Sequence, residues 1–167
     1  ATVFVDAFVP PPKLVVVGSG HDVGPVTELA ANVDFRTHVV GYRGTAATAE
    51  RFPAADTVRS TSPAQLRDVE TFDENTYVVV MTHNFVDDRL TLEALLETPV
   101  PYVGLMGPRE RFEEVLDAMD EDETASMPTE ADLDRIYTPI GLDLGSGSPY
   151  GIAHSIVAEV LAVANGR

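Results

Sequence analysis

The chain contains no cysteine in its 167 residues. It can therefore form no disulfide, no thiolate nucleophile and no cysteine-ligated zinc centre, although this leaves the redox compartment open. Long apolar runs are also absent, because none approaches the roughly 18 residues that a membrane span requires. No basic segment with a cleavage site opens the sequence. We therefore expect a soluble cytoplasmic protein without a membrane segment.

Positive charge is scarce as well. Lys and Arg total 11 against 27 Asp and Glu, which gives a net charge of −16, and Lys13 is the only lysine. No basic stripe is present to neutralise phosphates, so the sequence does not predict nucleic-acid binding. The acids are spread along the whole chain, which favours a solvated surface adapted to high intracellular salt over an acidic face for a cationic partner. The composition thus predicts a halophilic protein.

The most informative segment that is present joins an apolar run to glycines. Residues 14–17 are Leu-Val-Val-Val, Gly18-Ser19-Gly20 follows, and Gly24 opens an apolar-periodic stretch. This order predicts a strand, a tight turn and a helix, the first βα unit of a Rossmann-type nucleotide fold. The third glycine comes one residue later than in the usual fingerprint, and His21-Asp22 stands where small residues are usual. Bare backbone N–H groups beside a helix N-terminus suit an anionic phosphate.

The rest of the chain alternates between strand and helix patterns. Residues 1–13 are predicted to form an N-terminal arm, with a short strand at 2–8 and an extended proline linker at 10–12. Strands are predicted at 14–17, 37–40, 57–59, 76–82, 101–106 and 136–139. Helices are predicted at 24–32, 62–68, 87–97, 107–119 and from Ser148 onward, with a helical turn at 46–50. Residues 14–167 are therefore predicted to form a single Rossmann-like α/β domain with a doubly wound parallel sheet.

Ligands of such sheets lie beyond the carboxyl ends of the strands, where the strand order reverses. Five segments, most of them rich in glycine, follow predicted strands, and we expect them to converge on one site. The predicted cofactor-binding residues in these segments are Gly18, Ser19, Gly20, His21, Asp22, Gly24, Tyr42, Arg43, His83, Asn84, Gly107, Arg109, Gly141, Asp143 and Gly145.

Charged residues in these segments leave alternatives open. An NAD site places an acid at the end of the second strand, but Gly41 stands there. Arg43, two residues further on, is either a phosphate ligand, as in NADP sites, or an ordinary surface arginine. Arg109 and Arg111 fall in the first turn of a helix, where the dipole disfavours cations. This placement suggests that they serve an anion, the alternative being a solvent-facing pair.

The four histidines divide into two pairs. His83 follows the most strand-like run and His21 lies in the glycine turn, so both are site candidates, whereas His38 and His154 are expected to be structural. A metal site of His21, His83 and Asp22 is conceivable, but no two of these residues share a diagnostic spacing, so none is predicted. No Ser-His-Asp order, nucleophile elbow or lysine base is evident, and no catalytic residue is predicted.

With these residues in view, the chain resembles the C-terminal Rossmann domain of the xanthine dehydrogenase accessory factor family (XdhC/CoxI). Six short motifs in order carry the resemblance, over nearly the whole chain. They are Pro-Pro-Pro-Lys-Leu-Val-Val-Val-Gly-Ser-Gly-His at 10–21, Ala-Glu-Arg-Phe-Pro at 49–53, Val-Val-Met-Thr-His at 79–83, Pro-Tyr-Val-Gly-Leu-Met-Gly at 101–107 with Arg109, Pro-Ile-Gly-Leu-Asp-Leu-Gly at 139–145, and the ending at 152–159.

The resemblance implies a non-catalytic chaperone for the molybdenum cofactor, a molybdopterin that carries a phosphate or a dinucleotide. It also implies that the client is a molybdenum hydroxylase apoenzyme. The cofactor is sulfurated and then inserted into this apoenzyme. Full members of the family carry a Cys-bearing N-terminal domain, so a separate partner of that type and a sulfurtransferase are expected, and a homodimer is possible. The alternatives are an NAD(P)-dependent oxidoreductase and a nucleotide-binding sensor.

Overall fold

A computed structural model of the chain describes residues 2–6, 9–42 and 47–167. Arg43 and Ala46 therefore lie outside the described residues. The described strands are β1 Lys13–Val17, β2 Arg36–Tyr42, β3 Thr57–Thr61, β4 Thr76–Val80, β5 Tyr102–Leu105 and β6 Ile136–Tyr137. They form one sheet in the order β3-β2-β1-β4-β5-β6, in which every neighbouring pair is parallel.

The helices lie on both faces of this sheet, which confirms the predicted doubly wound α/β fold. They are α1 Val23–Asn32, α2 Leu66–Val69, α3 Phe85–Leu96, α4 Arg109–Asp120, α5 Glu130–Leu133 and α6 Pro149–Ala164. A 3₁₀ turn at Pro63–Gln65 precedes α2. None of the helices in the described part of the chain is long and apolar enough to cross a membrane.

Two apolar cores result from the alternation of side chains along the central strands. Leu14 and Val16 of β1 pack on the face covered by α1 and α6, whereas Val15 and Val17 pack on the face covered by α2, α3 and α4. All of these strand residues are fully buried. This double burial explains why β1 and β4 are continuous apolar runs, since a parallel strand covered on both faces cannot alternate with polar residues.

One predicted element is not found. Residues 2–6 form no strand, and Val3, Phe4 and Val5 are largely exposed, because an isolated segment has no neighbouring strand to pair with. The helical turn that was predicted at 46–50 is found two residues further along, where the Phe52 amide donates to the Thr48 carbonyl at 3.2 Å. It does not extend into a helix, because so short a segment does not offset the cost of helix nucleation.

A buried ionic cluster lies at the amino-terminal edge of the sheet, away from the predicted site. Lys13 Nζ donates to Glu70 Oε1 at 2.7 Å and to the hydroxyl of Thr71 at 3.0 Å, while His38 Nδ1 lies 2.8 Å from Glu70 Oε2. Burial by itself would raise the pKa of Glu70, but the hydrogen bonds from His38 and Lys13 outweigh it and hold the pKa at about 2. The cluster gives His38 the structural role expected of it.

Candidate functional site

The strand order reverses between β1 and β4, and a cleft lies at their carboxyl ends. Val17 of β1 is in register with Val40 of β2 and Val80 of β4, so the three strands end at the same level. The chain then continues into α1 on one face and into α3 on the other. The cleft between these segments has a volume of about 220 Å³ and is lined by Gly18, Ser19, Tyr42, Thr82, Asn84 and Asp87. This is the position at which doubly wound sheets bind ligands.

Gly18 lets the turn after β1 lie directly against the end of β4. Its φ is +150°, and a Cβ at this position would lie 2.5 Å from the carbonyl oxygen of Met81. Its amide donates to the Val40 carbonyl at 2.9 Å, so the turn is fixed to β2 as well. Any larger residue would push the backbone out of the crevice. The glycine therefore permits the close backbone approach that the sequence pattern predicted.

Asp22 and His83 connect the two sides of the crevice. His83 Nε2 lies 2.8 Å from Asp22 Oδ2, and His83 has a φ of 59°, a left-handed conformation that is uncommon outside glycine. Oδ1 of Asp22 is buried and has no hydrogen-bond partner among the described residues. Strained backbone and unsatisfied buried oxygens concentrate at functional sites, so both residues are candidates for ligand contact.

Tyr42 lines the cleft, but its hydroxyl is engaged within the protein. The hydroxyl donates to Thr91 Oγ1 at 2.8 Å, and Thr91 in turn donates to the carbonyl of Asp87 at 2.6 Å. Burial raises the pKa of Tyr42 well above its ordinary value, and the charges of Asp87 and Asp88 raise it further. The hydroxyl is therefore held protonated and directed into the protein.

Asn84 caps α3, because its Oδ1 accepts a hydrogen bond from the amide of Asp87 at 3.0 Å. Thr82 and Asp87 line the crevice although neither was predicted from the sequence, and Asp88 lies next to Asp87 in α3. Asp87 and Asp88 are both 4% exposed. Acids in the first turn of a helix usually lie in solvent and favour its dipole, so their sequence position gave no sign of burial.

Two arginines, Arg109 and Arg111, were predicted to serve an anion. Arg111 does bind an anion, but that anion is a carboxylate of the protein itself. Its guanidinium donates to Asp88 Oδ2 at 2.6 Å, and Thr82 donates to the other oxygen of the same carboxylate. Arg109 is exposed and lies 3.8 Å from Glu113, one helical turn away. It does not line the cleft at the carboxyl ends of β1 and β4. Gly107, with a φ of +128°, leaves room for the side chain of Arg111, since a Cβ there would lie 2.9 Å from Arg111 Cδ.

The glycine segment after β6 forms a second cleft. It has a volume of about 610 Å³, it includes Gly141, Asp143 and Gly145, and it shares no lining residue with the first. Of the five segments that follow strands, three thus contribute to the first cleft and one to the second, while the segment from Gly107 to Arg109 lines neither. Four strand spacings separate β6 from β2, which amounts to about 19 Å.

A partly buried carboxylate holds the start of this second segment. Glu159 Oε1 accepts hydrogen bonds from the amide of Gly141 at 2.9 Å and from the hydroxyl of Tyr102 at 2.7 Å. Gly141 has a φ of +90°, and a Cβ there would lie 2.4 Å from Ser155 Oγ. The segment is therefore fixed to α6 and β5 at its first residue, while Asp143 and Gly145 beyond it are exposed.

The remaining candidates lie at the surface. Gly20 packs against Asp22, since a Cβ on Gly20 would lie 2.5 Å from Asp22 Oδ1. Gly24 has no such neighbour, because a Cβ at this position would meet open space. His21 is exposed, and His154 is exposed with Nδ1 2.7 Å from the carbonyl of Tyr150. Within residues 2–6, 9–42 and 47–167, no group of three or more His, Cys, Asp or Glu side chains is placed to bind a metal ion.

Comparison with known proteins identifies relatives over almost the whole chain. The family model described as the XdhC Rossmann domain matches residues 14–160. A probable xanthine dehydrogenase subunit from Bacillus subtilis (strain 168) is 30% identical over 158 residues, which are 95% of this chain and 44% of that protein. The uncharacterized protein YqeB of Escherichia coli (strain K12) is 29% identical over 166 residues, 98% of this chain and 29% of that protein.

A solved structure shares the fold. The crystal structure of a xanthine dehydrogenase from Bacillus halodurans superposes with a TM-score of 0.82 at 31% sequence identity, covering 95% of this chain and 46% of that one. The chain spans less than half the length of each of these three relatives.

Proposed function

Because this chain belongs to the XdhC Rossmann domain family, we propose that it is a non-catalytic accessory domain that binds the molybdenum cofactor for a xanthine dehydrogenase-type molybdenum hydroxylase. The names of two relatives, both of which refer to xanthine dehydrogenase, support the connection with that enzyme. The observation that carries the binding role is the turn at Gly18, whose backbone lies in the crevice where the strand order reverses.

The residues around the crevice fit a ligand that has a phosphate and a heterocycle. The backbone of Ser19 and Gly20 and the hydroxyl of Ser19 lie beside the start of α1, where an anion is favoured. Asn84 and Asp87 line the opposite wall and offer polar contacts to a heterocycle. The molybdenum centre itself supplies oxidation–reduction chemistry in the client enzyme, and the residues of this chain would only hold and orient the cofactor.

The end of β2 argues against a dinucleotide oxidoreductase. An acid that could bind ribose hydroxyls is missing there, because Gly41 and Tyr42 occupy these positions and the Tyr42 hydroxyl is engaged by Thr91. A Cβ at Gly41 would lie 2.5 Å from the Cβ of Ala47, so the position has no room for an acidic side chain without rearrangement. NAD(P) binding is therefore the alternative against which the proposal is tested.

The proposed partners follow from the length of the relatives. Each extends well beyond the region that this chain matches. We propose that a Cys-bearing domain of the N-terminal type and a sulfurtransferase supply the steps that need a thiol, because these 167 residues contain no cysteine.

Calorimetric titration in molar KCl tests the proposal, with purified molybdenum cofactor, NAD(H) and NADP(H) as the titrants. We expect the molybdenum cofactor to bind and Ser19→Glu to abolish binding, because it places a like charge beside the phosphate. Ser126→Glu is the matched control: it adds the same charge at an exposed position outside the cleft, and it should leave the affinity unchanged. Tight NADPH binding accompanied by hydride transfer would overturn the proposal in favour of an oxidoreductase.

A further inference from the structure

We propose that Asp22 and His83 form an oxyanion site at the glycine turn, in which the protonated imidazole of His83 binds a doubly charged oxyanion such as a phosphate monoester or sulfate. This inference rests on the proposed function, since it assigns the positive charge that holds the phosphate of the ligand. His83 Nε2 lies 2.8 Å from Asp22 Oδ2. The imidazole is 56% exposed and the carboxylate only 12%, so the imidazole is the partner that a ligand can reach.

Asp22 occupies the N-cap position of α1 but does not cap the helix. An aspartate at this position ordinarily accepts a hydrogen bond from the second or third amide of the helix. Pro25, the third residue of α1, has no N–H, and the side chain of Asp22 makes no capping hydrogen bond. Its Oδ2 contacts His83 instead, and its Oδ1 is buried without a hydrogen-bond partner among the described residues. The start of the helix thus leaves the carboxylate to the imidazole.

Two backbone features allow the pair to form. Gly20 leaves space for it, because a Cβ there would lie 2.5 Å from Asp22 Oδ1 and 3.8 Å from His83 Cδ2. His83 adopts a left-handed φ of 59°, which is unfavourable for any residue with a side chain. A partly exposed ion pair adds little to stability, so the fold alone does not account for the strained backbone and the unpaired buried oxygen. Both features are explained if the pair serves a ligand.

The carboxylate determines which nitrogen of the imidazole a ligand meets. Nε2 is directed at Asp22, and Nδ1 has no hydrogen-bond partner within the described part of the chain. In a neutral imidazole with its proton on Nε2, Nδ1 is an acceptor, whereas in the protonated imidazole Nδ1 is an N–H donor and the ring carries a positive charge. A bound oxyanion favours the protonated form, so binding to the neutral form takes up a proton.

The charges around the turn make this protonation necessary. Among the described residues, those that line the crevice include the acid Asp87 but no lysine or arginine, and Arg111 of α4 is already paired with Asp88. While His83 is neutral, the negative charge of Asp22 beside the turn repels an oxyanion. Once His83 is protonated, the pair carries no net charge, and Nδ1–H can bind the anion together with the backbone amides of the turn.

NMR titration of the full chain with potassium sulfate tests the inference, in molar KCl at pH 5.5 and pH 7.5 and at constant ionic strength. Sulfate keeps two negative charges at both pH values, so a change in affinity comes from the protein. We expect the amide signals of Ser19 and Gly20 to report about tenfold or more tighter binding at pH 5.5, as the gain of a hydrogen bond to a charged group predicts. His83→Asn, which tolerates the left-handed backbone, should bind at both pH values as weakly as the wild type does at pH 7.5.

His154→Asn is the matched control, since it removes an imidazole that is also exposed but lies on α6 outside the crevice. It should keep the wild-type ratio, and so should His21→Asn. If His83→Asn fails to fold, ratios preserved in both other variants support His83, because the fourth histidine, His38, is engaged by Glu70 at the opposite edge of the sheet.

Equal affinities of the wild type at the two pH values would overturn the inference. So would signal changes confined to amides away from the turn, a pH dependence that persists in a folded His83→Asn protein, or one that His21→Asn abolishes. If the molybdenum cofactor binds His83→Asn as tightly as the wild type at pH 5.5, only the role of His83 is refuted. If sulfate binding depends on His83 but the molybdenum cofactor does not bind, the oxyanion site stands and the proposed function fails.

Discussion

The imidazole of His83 and the carboxylate of Asp22 meet across the crevice, with 2.8 Å between Nε2 and Oδ2. The pair joins the segment after β1 to the segment after β4, the two strands at which the sheet order reverses. Both residues were candidates in the sequence, but nothing in their spacing indicated that they would pair. His83 has a left-handed backbone conformation at this contact, with a φ of 59°.

The conformation of His83 can be tested by substitution. We expect His83→Val to lower the free energy of unfolding by about 1–3 kcal/mol, because a β-branched residue is strained at positive φ. His83→Asn should cost less, since asparagine tolerates this region, although it also loses the contact with Asp22. Urea unfolding of the two variants provides the measurement. Equal losses would show that the contact, and not the backbone, accounts for the effect.

Gly18, in the turn after β1, and Gly24, in the first turn of α1, should respond in opposite directions to alanine. Gly18→Ala places a Cβ 2.5 Å from the Met81 carbonyl oxygen, so we expect a loss of about 2 kcal/mol or more. Gly24→Ala meets open space inside α1 and should gain about 0.5–1 kcal/mol by restricting the unfolded chain. Thermal and urea unfolding measure both. Destabilisation by Gly24→Ala would contradict the assignment of Gly24 to an ordinary helical position.

Glu159 should control the order of the second glycine segment. Glu159→Ala removes the acceptor shared by the Gly141 amide and the Tyr102 hydroxyl, and leaves both donors without it. We expect a loss of about 2–4 kcal/mol and faster hydrogen exchange at the Gly141 amide. Tyr102→Phe is the control, because it removes one donor and keeps the carboxylate for Gly141. Unchanged exchange at Gly141 in Glu159→Ala would refute the role assigned to Glu159.

The buried cluster around Glu70 predicts a specific pH dependence. Because the pKa of Glu70 is lowered from 4.5 to about 2 in the folded chain, its contribution is present above pH 4.5 and is lost as the pH falls towards 2. The shift corresponds to roughly 3 kcal/mol at neutral pH. The difference in unfolding free energy between wild type and Glu70→Gln should therefore shrink between pH 6 and pH 3.

The matched control for this measurement is Glu74→Gln, an exposed acid in the segment that follows Glu70. Its difference from wild type should stay small at every pH. A Glu70→Gln difference that remains constant down to pH 3 would show that the ion pair with Lys13 does not stabilise the fold through the charge of Glu70.

Salt should stabilise the chain. With a net charge of −16, self-repulsion opposes the compact state, and added KCl screens it. We expect the thermal midpoint to rise steadily between 0.1 M and 2 M KCl. A midpoint that does not change over this range would contradict the interpretation of the acidic composition as an adaptation to salt.

The fold was largely predictable because strand burial and turn chemistry are local signals. The continuous apolar runs at β1 and β4 indicated strands covered on both faces, and Ser148-Pro149 indicated the start of α6, where Ser148 Oγ accepts from the Gly151 amide at 3.1 Å. The predicted arm strand does not form in its described part, residues 2–6, since that segment has no neighbouring strand to pair with.

The site was less predictable, because it depends on contacts between distant segments. Arg111 was expected to serve an anion, but the anion is Asp88, which lies on a different helix. Asp87 stands at the start of a predicted helix, where acids usually lie in solvent, yet it lines the cleft. Gly141 was grouped with Gly18, although the strand order places them in different clefts.

The sequence by itself determined the parallel sheet, the glycine turn after the first strand and the absence of any thiol chemistry, because these depend on the residue types and their immediate neighbours. Only the tertiary structure decided which candidates share a cleft and which charges are already neutralised. The reason is geometric: the position of each loop is set by the lateral order of the strands, and the partner of each charge is set by helices that pack together from different parts of the chain.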